Sequence, residues 1–128
     1  MARVLILDDE EAVREVIRMV LEEDGHEVAE ASNGVTGLEM FRAQPVDVVV
    51  TDLIMPKKDG IETIRDLRRE FPNVKIVALS GRGGIQINAN LARAKQVGAD
   101  ITILKPCEPC EILDAVRSLT ESNKKPKS

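Results

Sequence analysis

The chain has 128 residues, of which 43% are hydrophobic and 31% charged, and it carries a formal net charge of −4. A chain of this size forms one domain and buries a core without disulfide or metal staples. With Phe41 and Phe71 as its only aromatic residues it has no stacking platform for single-stranded nucleic acid, its acidic balance argues against duplex binding, and apolar runs of at most four residues fit neither a membrane span nor a signal segment. A cytoplasmic location is expected.

Along the chain, strand and helix signals alternate. Val4–Leu7 is a short apolar run that stops at Asp8. Val13, Val16, Ile17, Val20 and Leu21 repeat at helical spacing, forming one apolar face closed by Asp24-Gly25. His26–Ala31 alternates as a second strand, Asn33-Gly34 reads as a turn, and Gly37–Ala43 as a short helix. Val46–Thr51 is a near-continuous apolar run, the pattern of a central parallel strand covered on both faces, and it ends on Asp52. Pro56–Gly60 is a turn with solvated lysines, and Ile61, Ile64 and Leu67 mark a helix that stops before Pro72. Lys75–Leu79 is a fourth strand, and Asn88–Val97 a helix with Gly98 just past its end. Ile101–Leu104 is a fifth strand. Pro109 opens a last helix with the stripe Ile112, Val116 and Leu119. Residues 1–120 form the domain, and 121–128 are a polar, basic tail or the start of a linker.

Five such pairs make an α/β fold, a doubly wound (βα)5 unit with a five-stranded parallel sheet and right-handed crossovers. Ligands in such sheets bind at the carboxyl ends of the strands. Asp8, Asp9, Glu10 and Glu11 follow the first strand, Asp52 the third, Ser80 the fourth and Lys105 the fifth. Carboxylates crowded together resist ionising unless a cation joins them, and an oxygen-only set suits Mg²⁺ with retained waters. Mg²⁺ and a lysine beside a carboxylate form a landing place for a phosphoryl group, with Asp52 as the nucleophile. Glu10 and Glu11 instead suit the helix N-terminus.

The segments "LILDDEE", "VVTDLIMPKKDGIE", "VALSG" and "LKP", in that order, resemble the receiver domain of two-component response regulators over roughly Arg3–Leu119. The resemblance implies a flavodoxin-like sheet in the order 2-1-3-4-5. It implies that Asp52 is the phosphoacceptor, that Asp9 binds Mg²⁺ directly and Asp8 mainly through water, and that the Ile54 backbone carbonyl completes the metal shell. Ser80 and Lys105 match the pair that contacts the phosphoryl oxygens. It further implies a sensor histidine kinase or phosphotransfer protein as donor, a downstream protein partner or fused output domain, and a cis peptide before Pro106. No direct contact with nucleic acid or membrane is expected, and no turnover enzyme: the chemistry is self-phosphorylation and autodephosphorylation. A haloacid-dehalogenase-type phosphatase also uses Asp and Mg²⁺, but needs a second Asp where Ile54 stands. A flavodoxin-type phosphate binder needs a Gly-, Ser- or Thr-rich first loop where Asp8–Glu11 stands.

Three positions depart from the family pattern. Thr102 occupies the usual aromatic switch position, and Cys107 the usual Phe. Ser80 and Lys105 lie 25 positions apart, a longer spacing than the family's, the excess falling in Gly81–Asn90. With no ring to follow Ser80, the signal is expected to leave through that loop and the helix after it. Cys107 and Cys110 form a C-x-x-C, expected to be buried, structural and slow to label, and His26 is expected to have no catalytic part.

Overall fold

The computed structural model describes residues 2–53, 55, 57–80, 87–105 and 107–124, with only the backbone of 87–88 and 121–124. Its elements are β1 (Arg3–Leu7), α1 (Glu11–Glu23), β2 (Glu27–Ala31), α2 (Gly34–Ala43), β3 (Val48–Asp52), α3 (Gly60–Glu70), β4 (Lys75–Ser80), α4 (Ile87–Val97), β5 (Ile101–Leu104) and α5 (Pro109–Lys124). All strand pairs are parallel, as the alternation of signals predicts, and they stand in the order β2-β1-β3-β4-β5 that the receiver-domain resemblance implies. Helix α5 runs to Lys124, past the boundary drawn after Thr120 from sequence.

The sheet has two apolar faces. Leu5, Leu7, Val49, Ile76 and Ala78 meet α2, α3 and α4 on one side. Val4, Ile6, Val48, Val50, Val77 and Leu79 meet α1 and α5 on the other. Central β3 is buried along its whole length, and complete burial of each valine there contributes about 1.5–3 kcal/mol over leaving it in water. That rigid strand delivers Asp52 to the sheet edge.

Local chemistry sets the helix starts. Asn33 caps α2, its side-chain oxygen accepting the Thr36 N–H at 2.9 Å, so the pair Asn33-Gly34 opens a helix rather than a turn, and α2 begins three residues before the sequence pattern places it. Asp59 caps α3 in the same way through the Glu62 N–H, at 2.9 Å. Gly98, at φ +128°, ends α4 in a conformation that side chains rarely adopt.

Two expectations about side chains are corrected. Val16 is 46% exposed, because only Ile17 and Leu21 of α1 reach full burial while Val13 lies partly buried. Lys58 is not free in solvent but pairs with Asp66 of α3.

Candidate functional site

Four strand ends converge. Asp8 follows β1 and is completely buried, Asp52 ends β3 at 7% exposure, and Ser80 ends β4 at 1%. Lys105 follows β5, its backbone N–H donating to the Ser80 carbonyl at 2.8 Å. Parallel pairing places these residues on one edge: Leu7 lies opposite Thr51, Asp52 opposite Leu79, and Ser80 opposite Leu104.

Carboxylate oxygens of Asp8, Asp9 and Asp52 all lie within 4.8 Å of one another. The Lys105 ammonium donates to Asp8 Oδ2 at 3.1 Å and to Asp52 Oδ2 at 3.4 Å. Asp8 Oδ1 accepts the Glu10 N–H at 2.9 Å, so both Asp8 oxygens are engaged, whereas Asp9 is exposed. The second oxygen of Asp52, Oδ1, is buried with no hydrogen-bond partner. Such an orphan is costly unless something meets it.

Burial pushes the Asp52 carboxyl up to about 6; Lys105 pulls it back and Asp8 pushes it further. Burial also works against the charge on Lys105, but Asp52 and Asp8 outweigh it and hold the ammonium pKa above its ordinary value. Three carboxylates face one ammonium, which leaves two negative charges. A divalent cation of the Mg²⁺ type fits that deficit, the all-oxygen donor set and the orphaned Oδ1.

The turn after Asp52 is held by close backbone approach. Gly60 N–H donates to the Leu53 carbonyl at 2.8 Å. A Cβ at Gly60 would stand 2.2 Å from the Asp52 carbonyl oxygen, so only glycine lets α3 start there. Ile54, Pro56, the segment 81–86 and Pro106 lie outside the described residues. With them lie the expected carbonyl ligand, the cis peptide and most of the loop expected to carry the signal.

Sequence reading missed Arg14. Its Nη1 donates to the Asp8 carbonyl at 2.7 Å and its Nε to Glu30 Oε1 at 2.9 Å. An arginine one position after Val13, on the border of the apolar stripe, is the only signal the sequence offers for it. His26 lies at the opposite end of the sheet, as expected. Its Nδ1 accepts the Ala2 N–H at 3.0 Å, which leaves Nε2 to donate to Asp24 Oδ2 at 3.2 Å. The cysteines divide. Cys107 packs partly buried against the α1–α5 core, but Cys110 is exposed. Cys110 stands two residues before Ile112, and two helical residues turn through about 200°, so it faces away from the buried stripe. Burial of both thiols is therefore corrected for Cys110.

An acidic triad and a lysine at the carboxyl edge of a 2-1-3-4-5 parallel sheet define a receiver-type signalling domain. The comparisons agree. The model of the response regulator receiver domain matches residues 4–117, and the chain belongs to that family. It is 32% identical to the chemotaxis protein CheY of Thermotoga maritima, over 93% of this chain and 98% of that one. It is 34% identical to the response regulator MprA of Mycobacterium ulcerans over 95% of this chain, but spans only 51% of that relative. The crystal structure of a response regulator receiver domain protein from Clostridium thermocellum superposes with a TM-score of 0.85 at 30% identity, covering 97% of this chain and 98% of that one. Among the described residues no helix is long and apolar enough to cross a membrane.

Proposed function

We propose that the chain takes a phosphoryl group onto Asp52 from the phosphohistidine of a sensor kinase or phosphotransfer protein in the cytoplasm. A changed surface is then presented to a downstream protein or a fused output domain. The observation that carries this reading is the buried, partnerless Oδ1 of Asp52 beside two further carboxylates, with Lys105 on the other oxygen.

An Asp52 carboxylate oxygen attacks phosphorus. The bond from phosphorus to the donor imidazole breaks, its electron pair stays on the ring nitrogen, and an acyl phosphate forms. Lys105 faces the negative charge on the transferred group, and the buried Ser80 hydroxyl supplies a donor at the same edge. Asp9, Asp52 and the Ile54 carbonyl are the proposed direct Mg²⁺ ligands, with Asp8 acting through water. The full engagement of both Asp8 oxygens and the exposure of Asp9 support that division. When bound, Mg²⁺ offsets the carboxylate charge and draws off negative charge from the phosphoryl oxygens. Ile54 stands where a haloacid-dehalogenase-type phosphatase needs its second Asp, which supports a switch rather than a turnover enzyme.

Intact-mass measurement with acetyl phosphate tests this. One phosphoryl group is expected in Mg²⁺ and none in excess chelator, and Asp52→Asn is expected to gain none. An Asp52→Asn protein that still gains the group overturns the assignment.

A further inference from the structure

The acidic turn is gripped from outside by a side chain that holds its backbone rather than its carboxylates. The Arg14 guanidinium bridges two acceptors: Nη1 donates to the main-chain carbonyl of Asp8 at 2.7 Å, and Nε to Glu30 Oε1 on β2 at 2.9 Å. Arg14 and Glu30 are mostly buried, with side chains 15% and 22% exposed. Arg18, one helical turn further on, pairs with the other Glu30 oxygen. Burial resists the charge on Glu30, but the two arginines prevail and hold its carboxyl below the usual range. On the other side, the Asp8 N–H donates to the Ala31 carbonyl at 3.2 Å. Residues 30 and 31 of β2 therefore tie the turn down twice, once directly and once through Arg14.

We infer that Arg14, held by Glu30, is a positioning residue that fixes the Asp8-Asp9 turn so that its carboxylates stand within reach of Asp52. This inference rests on the Mg²⁺-binding reading of that edge. The physical reason is repulsion. Three carboxylates within 4.8 Å of one another drive the turn outward before any cation arrives, and a charge-assisted bond to the Asp8 carbonyl opposes that motion. Arginine suits the task because its planar fork aims separate N–H groups at two acceptors, whereas a lysine ammonium presents all its donors from one atom. The guanidinium sits on the backbone, so both Asp8 oxygens stay free for Glu10 N–H and Lys105.

The test is the charge-conserving variant Arg14→Lys, with Arg3→Lys as control. Arg3 pairs with Glu27 at 3.1 Å on the same two strands, at their far end from the site. Two readouts are taken: Mg²⁺ affinity by titration calorimetry, and amide exchange of the Glu10 N–H in metal-free protein. Supporting partners around metal ligands are commonly worth about 10–100-fold in affinity. Arg14→Lys is expected to weaken Mg²⁺ binding about tenfold and to speed Glu10 exchange, while acetyl phosphate labelling recovers at saturating Mg²⁺. Arg3→Lys is expected to stay within twofold of wild type on both readouts. Unchanged Glu10 exchange in Arg14→Lys, or an equal loss in Arg3→Lys, overturns the inference. A wild type that binds no Mg²⁺ while Arg14→Lys still frees Glu10 supports the clamp and sinks the metal reading instead.

Discussion

The two edges of the sheet handle charge in opposite ways. At the amino edge, Asp47, Asp100 and Asp24 all find donors. Asp47 accepts the Arg3 N–H at 2.9 Å. Asp100 accepts the Ile76 N–H at 2.8 Å and Arg68 at 3.0 Å. Asp24 takes both Arg117 and His26, and these partners hold its pKa low. At the carboxyl edge, Asp52 keeps an oxygen with no partner, and burial raises its carboxyl to about 6. Satisfied charge ties the scaffold together, and unsatisfied charge marks the place where a ligand belongs.

Gly60→Ala attacks the carboxyl edge through its backbone. The new Cβ would meet the Asp52 carbonyl oxygen at 2.2 Å and the Leu53 Cα at 2.6 Å. A loss of about 3 kcal/mol is expected, the upper end for overpacking, because neither neighbour can swing aside. Urea unfolding measures it. A loss that leaves phosphorylation untouched would separate the turn from the site.

Asp52→Asn tests the edge through charge and has the opposite sign. The folded carboxyl titrates near 6 and the unfolded one near its ordinary 3.8. The penalty is therefore absent below about pH 4, grows between pH 4 and 6, and is complete above 6. In metal-free protein at pH 7 the asparagine variant is expected to be more stable than wild type by at most about 3 kcal/mol, at 1.36 kcal/mol per pKa unit. The difference is expected to vanish near pH 4 and to shrink when Mg²⁺ is added. A variant less stable than wild type at pH 7 breaks the contrast between the edges.

Much of this contrast is legible in the sequence, for a simple reason. In a parallel sheet every strand ends at the same edge, so the residue after each apolar run lands there whatever the helices do. Asp8, Asp52, Ser80 and Lys105 follow from that rule alone. Bonds between elements follow from no local pattern. Arg14 looks like any arginine bordering a helix stripe, and its tie to Asp8 depends on how α1 crosses β1 and β2. Val16 fits the helical period but stays exposed, on the wall of an open groove that it shares with Cys107, Pro109 and Ile112. Asn33 serves a turn and a helix cap with the same chemistry, and only the following hydrogen bond separates them.

At the amino edge, Arg68 donates to the carbonyls of Pro72, Val74 and Gly98 as well as to Asp100. Arg68→Ala is expected to cost about 2 kcal/mol, since several bonds to a charged donor go at once. Mg²⁺ binding is expected to stay within twofold of wild type. A larger change in Mg²⁺ affinity would show that the edges are coupled.

The smallest effect concerns the two thiols beside the site. Cys110 is exposed, while burial, with Glu111 and Glu108 adding to it against Lys105, raises the Cys107 thiol. One equivalent of a thiol reagent is expected to react faster than the second, first at Cys110. Equal rates in a peptide map would contradict the partial burial of Cys107.

The central claim is that Asp52 carries an unsatisfied charge that a divalent cation relieves. Carbon-detected NMR titration of the Asp52 carboxyl, without and then with Mg²⁺, measures this at the atom concerned. The account predicts a metal-free midpoint of about 6 that falls by at least about one unit when Mg²⁺ binds, as for a carboxylate gaining an opposite charge. A metal-free midpoint at or below the ordinary carboxylate value, unmoved by Mg²⁺, would contradict it.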